Sequence, residues 1–409
     1  MSKGETSMDS TPRLPTVDIH SRAFLENPNA MLMRDGSRIA VAAGTSGPEF
    51  FTHAAVSELF RDPRLRPKTA QVYRDMGLSA DSPIYAFLTN GNFNMMSAEG
   101  HARLRPIIMK AFRPARIKEA GDMIRAIAEK LVEPMRARQR SDVVADFSHH
   151  LSIRSIAGFM GVPPEDVHEF ESATVELILL GTVPFLPGVP RLEAALNRIF
   201  AYIERLVAQR RASPRDDMIS DMVAVQSGGD QMSETELIWS LVFLLLAGHD
   251  TTRYQIAATV RALVEAGLWE EVAARPDLIP AAVKETHRMY PASHRFTRVV
   301  LEPLEFQGIE FSPGQLLSLN LAAAGRDPTR FADPDRFDLH RTGPAFEVGF
   351  GYGNHHCIGW ALATAEITLS IETLTRRLTD VAIAEPVEYK FGGVIGGVEK
   401  LVITHAARD

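Results

Sequence analysis

The only cysteine of this chain, Cys357, stands in the stretch Phe350-Gly351-Tyr352-Gly353-Asn354-His355-His356-Cys357-Ile358-Gly359. Gly351, Gly353 and Gly359 allow backbone conformations that a side chain forbids, so main-chain amides can approach whatever the sulfur binds. The following Trp360-Ala361-Leu362-Ala363-Thr364-Ala365-Glu366 is a good helix former, which puts Cys357 just ahead of a helix N-terminus. Amide donors and the positive end of the helix dipole both favour a thiolate there, and a soft thiolate suits a soft metal. Other chemistries stay open at this point. A lone cysteine is most often a small buried hydrophobe. It can also be a nucleophile, with His356 as base, although neighbours on a turn seldom face each other and no third group orients that histidine. Zinc of the finger type needs more sulfur and a different histidine spacing.

A second unusual stretch is Ala247-Gly248-His249-Asp250-Thr251-Thr252. It places a glycine, an acid and two β-branched alcohols inside a helical pattern, where each lowers helix propensity. A polar turn facing solvent would explain them, but the apolar run Val242 to Ala247 directly before argues for burial. Farther on, Glu285 and Arg288 are three residues apart and so share a helix face. As a surface ion pair they would contribute only a few tenths of a kcal/mol.

Phe350, Gly353, His355, Cys357 and Gly359 together resemble the haem-binding loop of the cytochrome P450 family. The resemblance implies haem b (iron protoporphyrin IX) with the Cys357 thiolate as its iron ligand. Residues 247–252 resemble the family's oxygen-activation motif. There Gly248 would open space beside the haem, Thr251 and a local water would hold dioxygen, and Asp250 would relay protons inward. His249 would be a variable position, structural or solvent-facing. Glu285, Arg288 and the following Pro291 resemble the family's Glu-x-x-Arg motif. Phe331-Ala332-Asp333-Pro334-Asp335-Arg336-Phe337 resembles the segment that supplies the third member of its buried network, Arg336. Propionate partners fall by resemblance at His101 and Arg105, at Arg298 and at His355. Pro106 departs from an ordinary helix and is expected to kink it at Arg105. The substrate cavity would be lined near Tyr85, Phe87 and Phe93, by Leu246 and Ala247, by Ala292-Ser293-His294-Arg295-Phe296, and by Val394 and Ile395. Most are apolar, as a small hydrophobic or aromatic substrate requires. His294 or Arg295, if turned inward, could hold a carboxylate or carbonyl. Arg103, Lys110, Arg113, Arg116 and Lys118 could form a basic face for an acidic ferredoxin.

These residues need a frame to hold them. Ser233-Glu234-Thr235-Glu236 is a capping box, and the helix it opens can run to Gly267, a suitable C′ residue. At about 30 residues it would extend about 45 Å, enough to cross the molecule as its central beam. The pattern from Gly100 to Gly267 is helical, broken at Pro163-Pro164, at 184–190 and at Ser227-Gly228-Gly229-Asp230. The break at 184–190 separates two amphipathic helices and reads either as a stiff surface loop or, by resemblance, as a lid over the pocket. Strand-like runs occur at 38–41, 50–53, 298–300, 304–306 and 316–319, with a helix near 54–60. The expected fold is mainly α with a small β portion, the cytochrome P450 fold, a triangular helical prism with a long central helix. A flexible N-terminus, 1–15, would precede a single catalytic domain, 16–409.

Composition narrows the function. Of 409 residues 45% are hydrophobic and 23% charged, ordinary for a chain that buries a large core. A net charge of −7 argues against nucleic acid. One cysteine excludes an intrachain disulfide and fits a cytoplasmic location. The polar start has no apolar signal region, and Leu237 to Leu246 is about half of a membrane span. A soluble monomer is therefore expected. No flavin or iron–sulfur domain fits after Thr404, so electrons from NAD(P)H would arrive through a separate ferredoxin reductase and ferredoxin. The expected activity inserts one atom of O2 into the substrate. The alternatives are a peroxide-driven or rearranging enzyme of this fold, a non-catalytic haem sensor or carrier, and a haem-free cysteine enzyme.

Overall fold

The computed structural model describes residues 14–181, 185–228, 232–343, 346, 348–392 and 394–408. Most of the expected flexible N-terminus, Pro184 and the pair Gly229-Asp230 lie outside these residues. Val41–Gly44 (β1) and Gly47–Phe50 (β2) pair antiparallel across a tight turn. Gly47 has φ +91°, and a Cβ there would meet the Leu316 carbonyl oxygen at 1.9 Å, so only glycine lets the sheet close. The expected strands at 38–41 and 50–53 are shifted. Arg38 belongs to a separate small hairpin, and Thr52 already caps the helix His53–Arg61 (α1) by accepting from the Ala55 amide. Leu65–Pro67 (β3) completes the N-terminal strands.

Ser97 then caps Ala98–Ala111 (α2), which runs unbroken through Pro106. Pro114–Arg136 (α3) starts with proline in its first turn, where the missing amide costs nothing. His149–Met160 (α4) stops at Gly161 in the left-handed region. The next segment is not the amphipathic helix expected before the proline-rich break. It forms the short turns Pro164–Glu169, Glu171–Thr174 and Val175–Gly181. Weak helix formers Ser172, Thr174 and Val175 there do not sustain a long helix. Val189–Ala212 (α5) and Met218–Ser227 (α6) follow.

The capping box at Ser233 forms as expected and opens Glu234–Glu265 (α7), with Gly267 at φ +68° beyond its end. Its 32 residues give about 48 Å. Leu237 to Leu246 pack into one hydrophobic cluster with α2, α4 and α5. Ile256, Ala257, Val260 and Leu263 pack into a second with α3 and the later helices Ile279–Met289 (α8) and Trp360–Arg377 (α9). The polar turn 248–252 falls between the two cores. Arg295–Val300 (β4) and Leu316–Asn320 (β5) join the N-terminal strands in a sheet of order β1-β2-β5-β4-β3. The hairpin of Glu388–Gly392 (β6) and Ile395–Lys400 (β7) packs against α7.

Candidate functional site

A cavity of about 350 Å³ lies between α7, β4 and the Cys357 loop. Gly351 and Gly353 take φ +78° and +60°, and the Cys357 amide donates to the Phe350 carbonyl at 2.8 Å, which folds the loop beneath the cavity. The Cys357 side chain is open to this cavity, though protein surrounds it on its other sides. Burial pushes its thiol up, while the Gly359 amide and the Arg105 guanidinium pull it back toward a thiolate. The His287 ring packs on Phe350 at 4.2 Å, and the His356 ring neighbours Trp360.

Four basic side chains gather beside the loop. The His101 and His355 rings stack at 4.2 Å. Arg105 donates to the His356 carbonyl at 2.5 Å. Arg298 is buried, reaches the Thr297 carbonyl at 3.2 Å and lies over the Phe60 ring at 4.9 Å. Burial pushes Arg298 down to about 10. His355 falls to about 3 through burial first, then through His101, Arg298 and Arg105. Burial and then Arg105 lower His101. Burial also lowers Arg105, against the pull of Cys357. Among the described residues no carboxylate pairs with Arg105 or Arg298, and His101 Nε2 and His355 Nδ1 are buried without a hydrogen-bond partner. Buried cations normally have a counterion. A dianionic ligand with a soft metal fits this group, and a haem with two propionates has those properties.

On α7, the Thr251 hydroxyl donates to the Ala247 carbonyl at 2.9 Å, leaving its lone pairs for the cavity. Asp250, also on the lining, accepts from Arg253 Nε at 2.7 Å, and Arg253 continues to Glu399 and to the Tyr254 hydroxyl. The space that a side chain on Gly248 would occupy is taken by Ile156 of α4, 2.7 Å from the ideal Cβ position. That glycine thus admits α4, while its backbone lines the cavity. His249 is wholly buried, not solvent-facing, with Thr174 Oγ1 at 3.1 Å and His149 Nδ1 at 3.2 Å.

Of the expected pocket residues, Phe93, Leu246, Ala247, Ala292, Val394 and Ile395 line the cavity. Phe87 does not; it packs on Trp239 at 5.8 Å within the core. Tyr85 lies beneath the Arg74 guanidinium instead. Alternation along β4 puts Phe296 and Arg298 on the cavity face and Arg295 behind it. There Arg295 pairs with Glu49 at 3.3 Å, and Asn320 holds the other Glu49 oxygen at 2.6 Å. The His294 side chain borders a separate small cavity with Ile19 and His20. Neither residue is placed to hold a substrate carboxylate.

The Glu285 network forms, with one change of member. Glu285 accepts from Arg288 Nη2 at 2.7 Å and Nε at 2.8 Å. The third side chain is Arg341, whose Nε donates to Glu285 at 2.8 Å. Arg336 is exposed and offers only its carbonyl, to Arg288 and Arg341. The supposed basic face is also different. Arg103 pairs with Glu236, Arg113 with Asp221, and the buried Arg116 with Asp216 and Asp221, while Lys110 and Lys118 stay exposed.

Glu366 and Gln255 are among the lining residues that the sequence did not single out. Glu366 is fully buried on α9 and burial pushes its carboxyl well above the usual range. Its signal is an acid on the apolar stripe Leu362, Glu366, Ile367, Ser370, Ile371. Gln255 gives Oε1 to the Ala292 amide at 3.2 Å and keeps Nε2 unpaired.

These features agree with the known proteins that this chain is similar to. The profile of the family described as Cytochrome P450 matches residues 269–381. Mycinamicin IV hydroxylase/epoxidase of Micromonospora griseorubida is 33% identical over 303 residues, 73% of this chain and 75% of that protein. Cytochrome P450 107B1 of Saccharopolyspora erythraea is 32% identical over 314 residues, 75% of each. The crystal structure of P450BioI with hexadec-9Z-enoic acid ligated acyl carrier protein superposes with a TM-score of 0.83 at 26% identity, covering 93% of this chain and 99% of that one. The chain belongs to the cytochrome P450 superfamily. It has that family's fold, binds haem b and is a P450 monooxygenase. No described helix is long and apolar enough to cross a membrane.

Proposed function

We propose that this monooxygenase hydroxylates or epoxidises a small hydrophobic or aromatic compound, using electrons from NAD(P)H delivered by a ferredoxin reductase and a ferredoxin. The haem supplies the iron at which dioxygen is activated, so that one oxygen atom enters the substrate and the other leaves as water. Cys357 holds that iron, with the Gly359 amide and Arg105 favouring its thiolate. His101, Arg105, Arg298 and His355 take the two propionates, and Phe350 backs the loop. Thr251 accepts and orients a proton donor in the cavity because its own proton is committed to the Ala247 carbonyl. Asp250, anchored by Arg253, feeds protons toward Thr251. The Glu285, Arg288 and Arg341 cluster fixes the chain that carries the cysteine loop.

The observation carrying this reading is that one cavity is lined at once by Cys357, by cations without counterions and by the polar turn of α7. Its otherwise apolar lining supports a hydrophobic substrate, and the printed names of relatives support hydroxylation or epoxidation. The proposed protein is one domain over 16–409, since α7 is shared by both cores; a cytoplasmic location and a monomeric state belong to the same proposal. Thr251→Ala tests the proton assignment. It should consume reductant with little product, about 10²-fold less per electron pair; product formation as tightly coupled as in the parent would contradict it.

A further inference from the structure

Outside the cavity, α4 presents His149 and His150 to Glu171, the first residue of the turn Glu171–Thr174. Glu171 Oε1 lies 3.2 Å from His149 Nε2 and 3.0 Å from His150 Nδ1. The three ligand-type atoms all lie within 4.8 Å of one another. Their side chains are 22%, 35% and 26% exposed, so an ion can reach them from solvent. Donors placed about 2.1 Å from a tetrahedral zinc are about 3.4 Å apart, close to the two shorter spacings here.

The hydrogen bonds behind the cluster accommodate the tautomer that a metal requires. The Thr174 hydroxyl donates its one proton to the Glu171 carbonyl at 2.8 Å. His249 Nδ1 is 3.1 Å from that hydroxyl oxygen and 3.6 Å from Asp250 Oδ1, and both serve it as acceptors when the His249 proton is on Nδ1. A neutral imidazole has a single N–H. His249 Nε2 is then an acceptor and takes the proton of His149 Nδ1 at 3.2 Å. In this tautomer the lone pair of His149 Nε2 faces a carboxylate oxygen at 3.2 Å, as two ligands of one cation do.

We propose that this cation is a divalent transition metal of the zinc class, bound by His149 Nε2, His150 Nδ1 and Glu171 Oε1, with water completing the shell. His249 and Thr174 orient His149 from behind, as the outer partners of metal-bound histidines do. The ion ties α4 to the Glu171–Thr174 turn and is linked to Asp250 through His149 and His249.

The test is equilibrium dialysis of the haem-loaded protein against buffered zinc chloride, with zinc and iron both counted per chain. Wild type should saturate at one zinc per iron. His150→Gln and Glu171→Gln should bind it more than about tenfold more weakly, and His249→Gln about 10- to 100-fold more weakly. His340→Gln, whose ring neighbours Glu271 elsewhere in the fold, should match wild type. An iron content unchanged across the variants separates failure of this site from failure of the haem assignment. No saturable zinc would overturn the proposal, with His149 Nε2–H then donating to Glu171 in a metal-free network. Zinc affinity equal to that of wild type in both His150→Gln and Glu171→Gln would also overturn it.

Discussion

Two clusters of buried charge in this molecule are completed differently. Around Glu285, each charged group is answered by protein. The carboxylate accepts from Arg288, Arg341 and the Asp338 amide, and the remaining Arg288 donors reach the carbonyls of Gly325, Pro334 and Arg336. Around Cys357 the sum is one-sided: Arg105 opposes protonation of His101 and His355, Arg298 opposes that of His355, and no carboxylate among the described residues answers Arg105 or Arg298. A closed cluster serves the fold. An open one waits for a ligand, and its protein alone is strained by it.

The largest effect that could break this contrast is at Arg288. Arg288→Ala strips the buried Glu285 of its two-pronged partner, leaving only Arg341 and the Asp338 amide on one oxygen, and should cost about 3–5 kcal/mol in urea unfolding; a variant as stable as the parent would remove the structural role. Arg341→Ala should cost about 1.5–3 kcal/mol through its charged hydrogen bond, whereas Arg336→Ala should stay within about 0.5 kcal/mol. The reverse order would restore Arg336 as the third member.

Arg298→Ala sharpens the other half of the comparison. Because burial holds its pKa at about 10, below the ordinary value of an arginine, the charged group costs folded stability at neutral pH. The haem-free variant should therefore be at least as stable as haem-free wild type, yet lose haem faster to an acceptor globin. A haem-free variant that is clearly less stable would mean that Arg298 already has its partner.

The smallest effect is expected at Glu366. Its carboxyl is raised in the folded state, so the unfolded chain ionises first and stability falls as pH rises from the usual carboxylate range toward the raised folded value. Above that value the penalty is complete. Glu366→Gln mimics the protonated acid and should gain thermal stability over wild type at pH 8 more than at pH 5. A gain largest at pH 5 would show that the carboxylate is stabilised instead.

The motifs legible in the sequence are those whose chemistry is local. The glycines around Cys357 and the misplaced polar residues of α7 are anomalous within their own few residues, and so is the capping box at Ser233. What was not legible depends on where distant segments pass. Whether Arg295 faces the cavity or Glu49 is decided by the register of β4 beside β5 and β2. Whether Arg336 or Arg341 meets Glu285 depends on the loop path after Phe331, where two arginines lie close in sequence. Phe87 was placed in the pocket because it is apolar, but apolar character does not distinguish a cavity wall from the core behind it. The gap at Gly248 likewise could not be known to belong to Ile156, 92 residues earlier in the chain.

The bond between the Cys357 sulfur and haem iron is most directly tested by the absorption spectrum of the reduced, carbon-monoxide-treated protein beside that of Cys357→Ser. Thiolate ligation predicts a strongly red-shifted Soret band in wild type and its loss in the serine variant even when iron content is retained. Absence of the band from wild type, or its survival without the thiol, would contradict the assignment.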